Sequence, residues 1–186
     1  MYYHVNIQDT LRIPPSKFGE DLNSVLIEIA RESFEGRIDP DLGFIVSVTK
    51  ITQVYRGKIV PGDGGVFYQA DFGLLCYLPE VGEIVEGEIV ENTDFGAFIR
   101  IGVVDALCHV SQVAEDYFRY NPKNSVLRGD KTKRDLLVNT QVRARIIAVS
   151  IGKSSIRVGL TMKQNSLGAK EWIDEWKKSL NQPSVQ

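Results

Sequence analysis

Arg143 and Arg145 alternate with Val142, Ala144, Ile146 and Ala148, while Arg157, Gly159, Thr161 and Lys163 alternate with Ile156, Val158, Leu160 and Met162. Successive strand side chains point to opposite faces, so two strands with this pattern turn their apolar set inward and their bases outward. Four cations with no acid among them, and a glycine that lets a backbone approach, suit the phosphates of a nucleic acid. A single strand also needs flat surfaces for its bases, each stack contributing roughly 1 to 3 kcal/mol. Phe98 and Arg100 supply outward positions, because Ala97, Ile99 and Ile101 take the inward parity. Phe95 shares the inward parity and reaches the outer face only if Gly96 bends the chain. His109, in phase with Leu107, is either a third platform or a hydrogen-bonded structural histidine.

The distribution of charge agrees with this chemistry. The chain of 186 residues has a net charge of −2, yet residues 119–163 hold eleven bases against Asp130 and Asp135. Residues 81–118 hold only Arg100 against eight acids, and residues 1–80 seven bases against eleven acids. A basic surface for phosphates follows, with a solvated basic face as the plain alternative. Catalytic chemistry finds little support: there is no Walker-type loop, no Ser or Cys nucleophile beside a base, and no distinctive acid spacing. Glu86, Glu88 and Glu91 would be the metal ligands of a nuclease, but a solvated strand edge explains them better. Cys76 and Cys108 are the only cysteines. With His4 and His109 they fail as a zinc set, because Cys108 and His109 are strand neighbours facing opposite ways. No cofactor or metal is expected.

The elements that must carry these residues fall into two parts on either side of Pro79. Residues 1–80 read as an α+β domain. A strand spans Tyr2 to Ile13 before Pro14-Pro15, and Phe18, Leu22, Val25, Leu26 and Ile29 recur at helical spacing up to a stop at Gly36. Strands over Phe44 to Ile51 and Val66 to Leu78 are joined by the turn-rich tip Arg56 to Gly65. In the last strand Phe67, Leu75 and Tyr77 add an apolar second face to the even-numbered one. A single helix covers one face only, so the other meets either the second domain or a partner chain. Residues 81–186 read as all-β, with strands at Ile84–Val90, Gly96–Ile101, Asp105–Val110, Val142–Ser150 and Ser155–Met162. Five strands with a long excursion after the third match an OB-fold barrel. That excursion, Ala114 to Gln141, is of a length associated with functional or mobile loops. Trp172, Ile173, Trp176 and Leu180 then share one side of a short terminal helix. The N-terminus lacks a signal-peptide pattern, and no apolar stretch approaches the roughly 20 residues of a membrane span. A cytoplasmic address is expected.

Phe95-Gly96-Ala97-Phe98 followed by His109-Val110-Ser111 resembles the RNA-binding domain named after ribosomal protein S-one. The resemblance places both phenylalanines and the histidine on an RNA face and implies the bend at Gly96. Ala106 and Cys108 stand where that family has Gly and an aliphatic residue. Over nearly the whole chain, Ile13-Pro14-Pro15 with Phe18-Gly19, Gly62-Asp63-Gly64, Leu160-Thr161-Met162-Lys163-Gln164 and Glu171-Trp172-Ile173 resemble the E-prime family of archaeal RNA polymerase. That family is the counterpart of the seventh subunit of eukaryotic RNA polymerase II. Membership implies a non-catalytic stalk component of DNA-directed RNA polymerase. Its N-terminal truncated RNP-like domain docks on the core and clamp through the tip Gly62, Asp63 and Gly64. It forms a heterodimer with the small F polypeptide of the polymerase, which supplies an owner for the face of Phe67, Leu75 and Tyr77, and its barrel holds nascent single-stranded RNA. The alternative is a free RNA-binding translation or RNA-decay factor built on the same barrel.

Overall fold

The computed structural model describes residues 1–180, the last two without their side chains, and it folds as two compact units. Met1–Leu78 and Ile151–Ser155 form the first; Pro79–Ser150 and the chain from Ile156 onward form the second.

The first unit contains β1 (Tyr2–Ile13), α1 (Leu22–Phe34), β2 (Ile38–Asp39), β3 (Gly43–Val54), β4 (Lys58–Ile59) and β5 (Val66–Tyr77). They build an antiparallel sheet of order β1-β5-β3-β2, with β4 against the start of β5. β1 pairs along its whole length, Tyr2 opposite Tyr77 and Ile13 opposite Val66. Val25, Leu26 and Ala30 of α1 bury against Val48, Phe72 and Leu74 of the sheet. Each large apolar side chain removed from water here contributes roughly 1.5 to 3 kcal/mol. The helix starts one turn later than its apolar spacing suggests. Asp21 caps it by accepting from the Ser24 N–H at 2.9 Å, so Phe18 falls outside and stays 50% exposed.

The other face of this sheet is polar at its centre rather than apolar throughout. Gln8 donates to Asp71 at 2.7 Å, Gln69 to Gln8 at 2.8 Å and the Tyr55 hydroxyl to Asp71 at 3.1 Å, while His4 bonds Thr49 at 2.9 Å. Phe67 lies at one end of this network and Leu75 and Tyr77 at the other. Phe67 and Leu75 are half-buried, but Tyr77 is only 4% exposed, its ring 4.8 Å from that of Tyr2. Of the three residues expected on a partner face, Tyr77 is therefore already covered.

The second unit contains β6 (Ile84–Asn92), β7 (Gly96–Ile101), β8 (Val104–His109), β9 (Phe118–Asn121), β10 (Val126–Gly129), β11 (Asp135–Leu136), β12 (Gln141–Ile151), β13 (Ile156–Thr161), β14 (Gly168–Ala169) and α2 (Lys170–Leu180). β13-β8-β7-β6-β12 closes into a barrel through a second β12–β13 pairing, with β13 and β8 parallel. Ile89, Ile99, Cys108, Ile146 and Leu160 fill the interior. The inward parity expected for Val142, Ala144, Ile146, Val158 and Met162 is borne out by their burial. Ala148 and Thr161 depart from expectation. β12 has no β6 partner after Arg145, so Ala148 loses its opposite wall and is exposed. Thr161 is 6% exposed because its hydroxyl donates to Gln112 at 2.8 Å, under the short helical turn Val110–Gln112.

The excursion after β8 is packed rather than loose. β9, β10 and β11 form their own sheet, and Phe118, Leu127 and Leu136 join the barrel core. The Asp116 carboxylate accepts from the N–H groups of Tyr117, Lys131 and Thr132 and from the Thr132 hydroxyl, which holds its pKa far below the usual carboxylate range. Asn92, 2% exposed, donates to the carbonyls of Ser125 and Leu136 at 2.9 and 2.8 Å. In α2, Trp172 and Ile173 are buried and Trp176 half-buried; the Leu180 side chain lies outside the described residues. No described helix is long and apolar enough to cross a membrane.

Two substitutions test these cores by urea unfolding. Phe72→Ala removes a fully buried ring and is expected to cost about 3 to 5 kcal/mol. Asn92→Leu strands the Leu136 carbonyl inside the barrel and is expected to cost about 1 to 3 kcal/mol, with earlier hydrogen exchange in β9 to β11.

Candidate nucleic-acid interface

Gly96 sets the geometry of the aromatic residues. A Cβ at this position would collide with the Cys108 carbonyl oxygen, so only glycine permits β7 to lie this close to β8. The preceding turn closes with the Thr93 N–H on the Gly96 carbonyl at 2.8 Å and the Val110 N–H on the Phe95 carbonyl at 2.8 Å. The chain bends as the pleating required, and Phe95 emerges 45% exposed. Its ring meets Phe98 edge to face, centroids 5.9 Å apart. Ala106 and Cys108 are fully buried, which leaves the exposed His109 on the same outer surface. Burial pushes the Cys108 thiol up to about 12, so it is an inert core group. The Ser111 N–H donates to His109 Nδ1 at 3.2 Å, which makes Nε2 the protonated nitrogen of the neutral ring.

Phe98 pairs with Leu107 across β7 and β8, and Leu107 pairs with Gly159 across β8 and β13. These three form an apolar row on the floor of a groove of about 510 Å³, which Ala148 and the exposed Ile147 extend. His109 and Gln112 flank the row on one side; Asp105 and Arg157, two residues back along the parallel strands β8 and β13, flank it on the other. Arg157 is exposed and makes no ion pair among the described residues. The groove offers a stacking surface with a hydrogen-bond donor on one side and a cation on the other. Leu107 and Gln112 were visible in sequence only as the ends of the stretch around His109 that resembles the S-one domain, without a role of their own; Ile147 carried no signal, because its position depends on the β12–β13 pairing.

The expected basic track is not continuous. Arg143 points away from the groove, beside α2, and donates to Glu86 at 2.6 Å. Lys163 lies in a different depression with Trp172 and Trp176. Arg145 is half-buried opposite Ile84, its Nε enclosed without a partner, and does not line the groove. Arg100 is exposed next to the groove but forms a two-point ion pair with Asp105, at 2.9 and 3.1 Å. The cause is barrel closure: outward parity only takes a side chain out of the interior, and the outside of a closed barrel runs through a full turn.

The tip of the first unit is a second candidate surface. Asp63 accepts from Arg12 Nε at 2.9 Å, from Arg12 Nη2 at 2.5 Å and from the Gly65 N–H at 2.8 Å. Ile59 and Val60 beside it are 76% and 46% exposed. Phe18 lines a neighbouring groove of about 320 Å³ between the Pro15–Lys17 turn and β5. The Arg12 guanidinium, followed by the Gly65 N–H, brings the Asp63 carboxyl down to about 2.

A closed OB-type barrel with this aromatic face, following an α+β unit, defines an RNA-binding protein of the S1 class with an added N-terminal domain. Residues 78–160 match the family described as S1 RNA binding domain, and residues 8–64 match the SHS2 domain found in N terminus of Rpb7p/Rpc25p/MJ0397. DNA-directed RNA polymerase subunit Rpo7 of Saccharolobus shibatae is 33% identical over 96% of this chain and 100% of its own length. DNA-directed RNA polymerase III subunit RPC8 of Saccharomyces cerevisiae is 28% identical over 78% of this chain and 71% of its own. DNA-directed RNA polymerase II subunit RPB7 of Glycine max is 24% identical over 90% of this chain and 96% of its own. The chain belongs to the Rpo7 family of DNA-directed RNA polymerase subunits.

The Asp63 pair has a measurable signature. Because its folded value lies below the ordinary 3.8, the carboxylate stays ionised and paired with Arg12 down to low pH, and the pair is lost as pH falls through about 2. Carboxyl NMR is expected to place the Asp63 midpoint near 2 and to raise it toward the ordinary 3.8 in Arg12→Ala.

Proposed function

We propose that this chain is a non-catalytic, cytoplasmic polymerase component that forms a stalk with the small F polypeptide and holds nascent single-stranded RNA in the barrel groove. The observation that carries the RNA reading is the apolar row Phe98–Leu107–Gly159 across three strands, flanked on one side by His109 and on the other by Arg157. Bases stack on the row and on the Phe95–Phe98 pair, while Arg157 meets a phosphate. Arg100 joins it only by exchanging its Asp105 partner for RNA, which makes it the weaker contact. In the first unit the tip Gly62, Asp63 and Gly64 with Ile59 and Val60 docks on the polymerase core and clamp. Phe67 and Leu75 remain for the F polypeptide.

Filter binding of short single-stranded RNA tests the groove. Phe98→Ala is expected to weaken binding roughly 5- to 150-fold, the value of one stacked base. Arg157→Ala is expected to lower the salt slope by about 0.7. Arg143→Ala and Lys163→Ala leave both quantities unchanged, because neither residue lines the groove; a drop for these two with none for Phe98→Ala refutes the site. Copurification with large polymerase subunits and a small helical partner supports the stalk, and recovery with ribosomes or a decay complex supports a free RNA-binding factor.

A further inference from the structure

We infer that Arg12 is a positioning residue for the tip: it holds the Val60–Gly65 turn in its docking shape, and Asp63 acts through Arg12 rather than by touching the polymerase. The inference rests on the docking reading above. Arg12 sits one residue before the end of β1, opposite Phe67 of β5. From there its guanidinium reaches a carboxylate 51 residues further along the chain and engages both oxygens, Nε donating to Oδ2 at 2.9 Å and Nη2 to Oδ1 at 2.5 Å. Such a planar fork fixes orientation as well as distance.

The turn is drawn around this pair. Asp63 Oδ1 also accepts the Gly65 N–H, and the Asp63 N–H donates to the Val60 carbonyl at 3.1 Å. A Cβ on Gly65 would lie 3.0 Å from both Cζ and Nε of Arg12 and 2.9 Å from the Ile13 carbonyl. Gly65 is therefore the residue that lets the guanidinium lie against the turn. Gly64 comes to rest beside Pro15, where a Cβ would be 3.5 Å from the ring. The carboxylate is thus occupied from within, whereas the apolar side chains of Ile59 and Val60 point to solvent. A partner meets those two side chains and the turn backbone, in a shape set by the end of β1. The pair is too exposed to matter for overall stability, with side chains 45% and 30% accessible. Its effect is on which loop conformation is populated.

Binding kinetics of the full chain to polymerase core lacking it provide the test. If the unlocked turn holds the docking shape about a tenth of the time, Arg12→Ala and Asp63→Ala each lower the association rate and the affinity about tenfold. Dissociation rate and melting temperature are expected to stay unchanged, and the double variant to be no worse than either single one, since both remove one interaction. A raised dissociation rate for Asp63→Ala, with Arg12→Ala silent or the two effects additive, overturns the inference and makes Asp63 a direct contact. Ile59→Asp is the control on the docking reading. It is expected to speed dissociation, and if it binds as well as the wild type the tip does not dock and both statements fall.

Discussion

The Cys108 carbonyl occupies the space where residue 96 would otherwise carry a Cβ. This one close approach of two backbones governs the candidate groove. It bends the chain at the start of β7, which brings Phe95 out of the inward parity and against Phe98. It also seats β8 so that Cys108 fills the core while His109 and Leu107 face out. The His109 ring is then oriented by Ser111, two residues on, so both its direction and its tautomer come from local backbone. None of these side chains needs a ligand to hold it in place.

Barrel closure is the second constraint, and it divides the bases. The two runs containing Arg143 and Arg157 are neighbours in the sheet, yet β12 begins beside β6 and β14 and ends beside β13. Arg143 and Arg157 accordingly occupy different sides of one cylinder. Acids complete the separation: Glu86 holds Arg143, Asp105 holds Arg100, and Asp130, Asp135 and Glu175 hold bases of the excursion. A segment that is strongly basic as a sum presents few free cations at the groove. The proposed RNA contact therefore rests on stacking and on Arg157 more than on a long phosphate track.

Both units also show rigidity where the chain is short of regular structure. The excursion between β8 and β12 is tied down by Asp116 and Asn92 and by three apolar side chains in the barrel core. The tip of the first unit is tied down by Arg12. In the excursion, a carboxylate and an amide reach backbone groups far along the chain, satisfying donors and acceptors that a loop would otherwise leave to water; at the tip, the long-range contact is the ion pair, and Asp63 accepts from the nearby Gly65 N–H.

The amino-acid sequence by itself determined the main strands and the family, while the three short strands of the excursion and the start of α1 came from the tertiary structure. Alternation in Tyr2–Ile13 and in the five barrel strands, and the turn signals between them, are local properties that need no partner to be read. The Phe-Gly-x-Phe and His-x-Ser patterns are local as well, and they named two of the groove residues, Phe98 and His109, and their neighbour Phe95. Tertiary structure decided which outward residues share one surface. That Leu107, Gln112 and Ile147 join Phe98, that Arg143 and Lys163 do not, and that Asp63 answers to Arg12 all depend on strand register and closure between distant segments. The period of a strand says in or out, and only the pairing of strands says beside what.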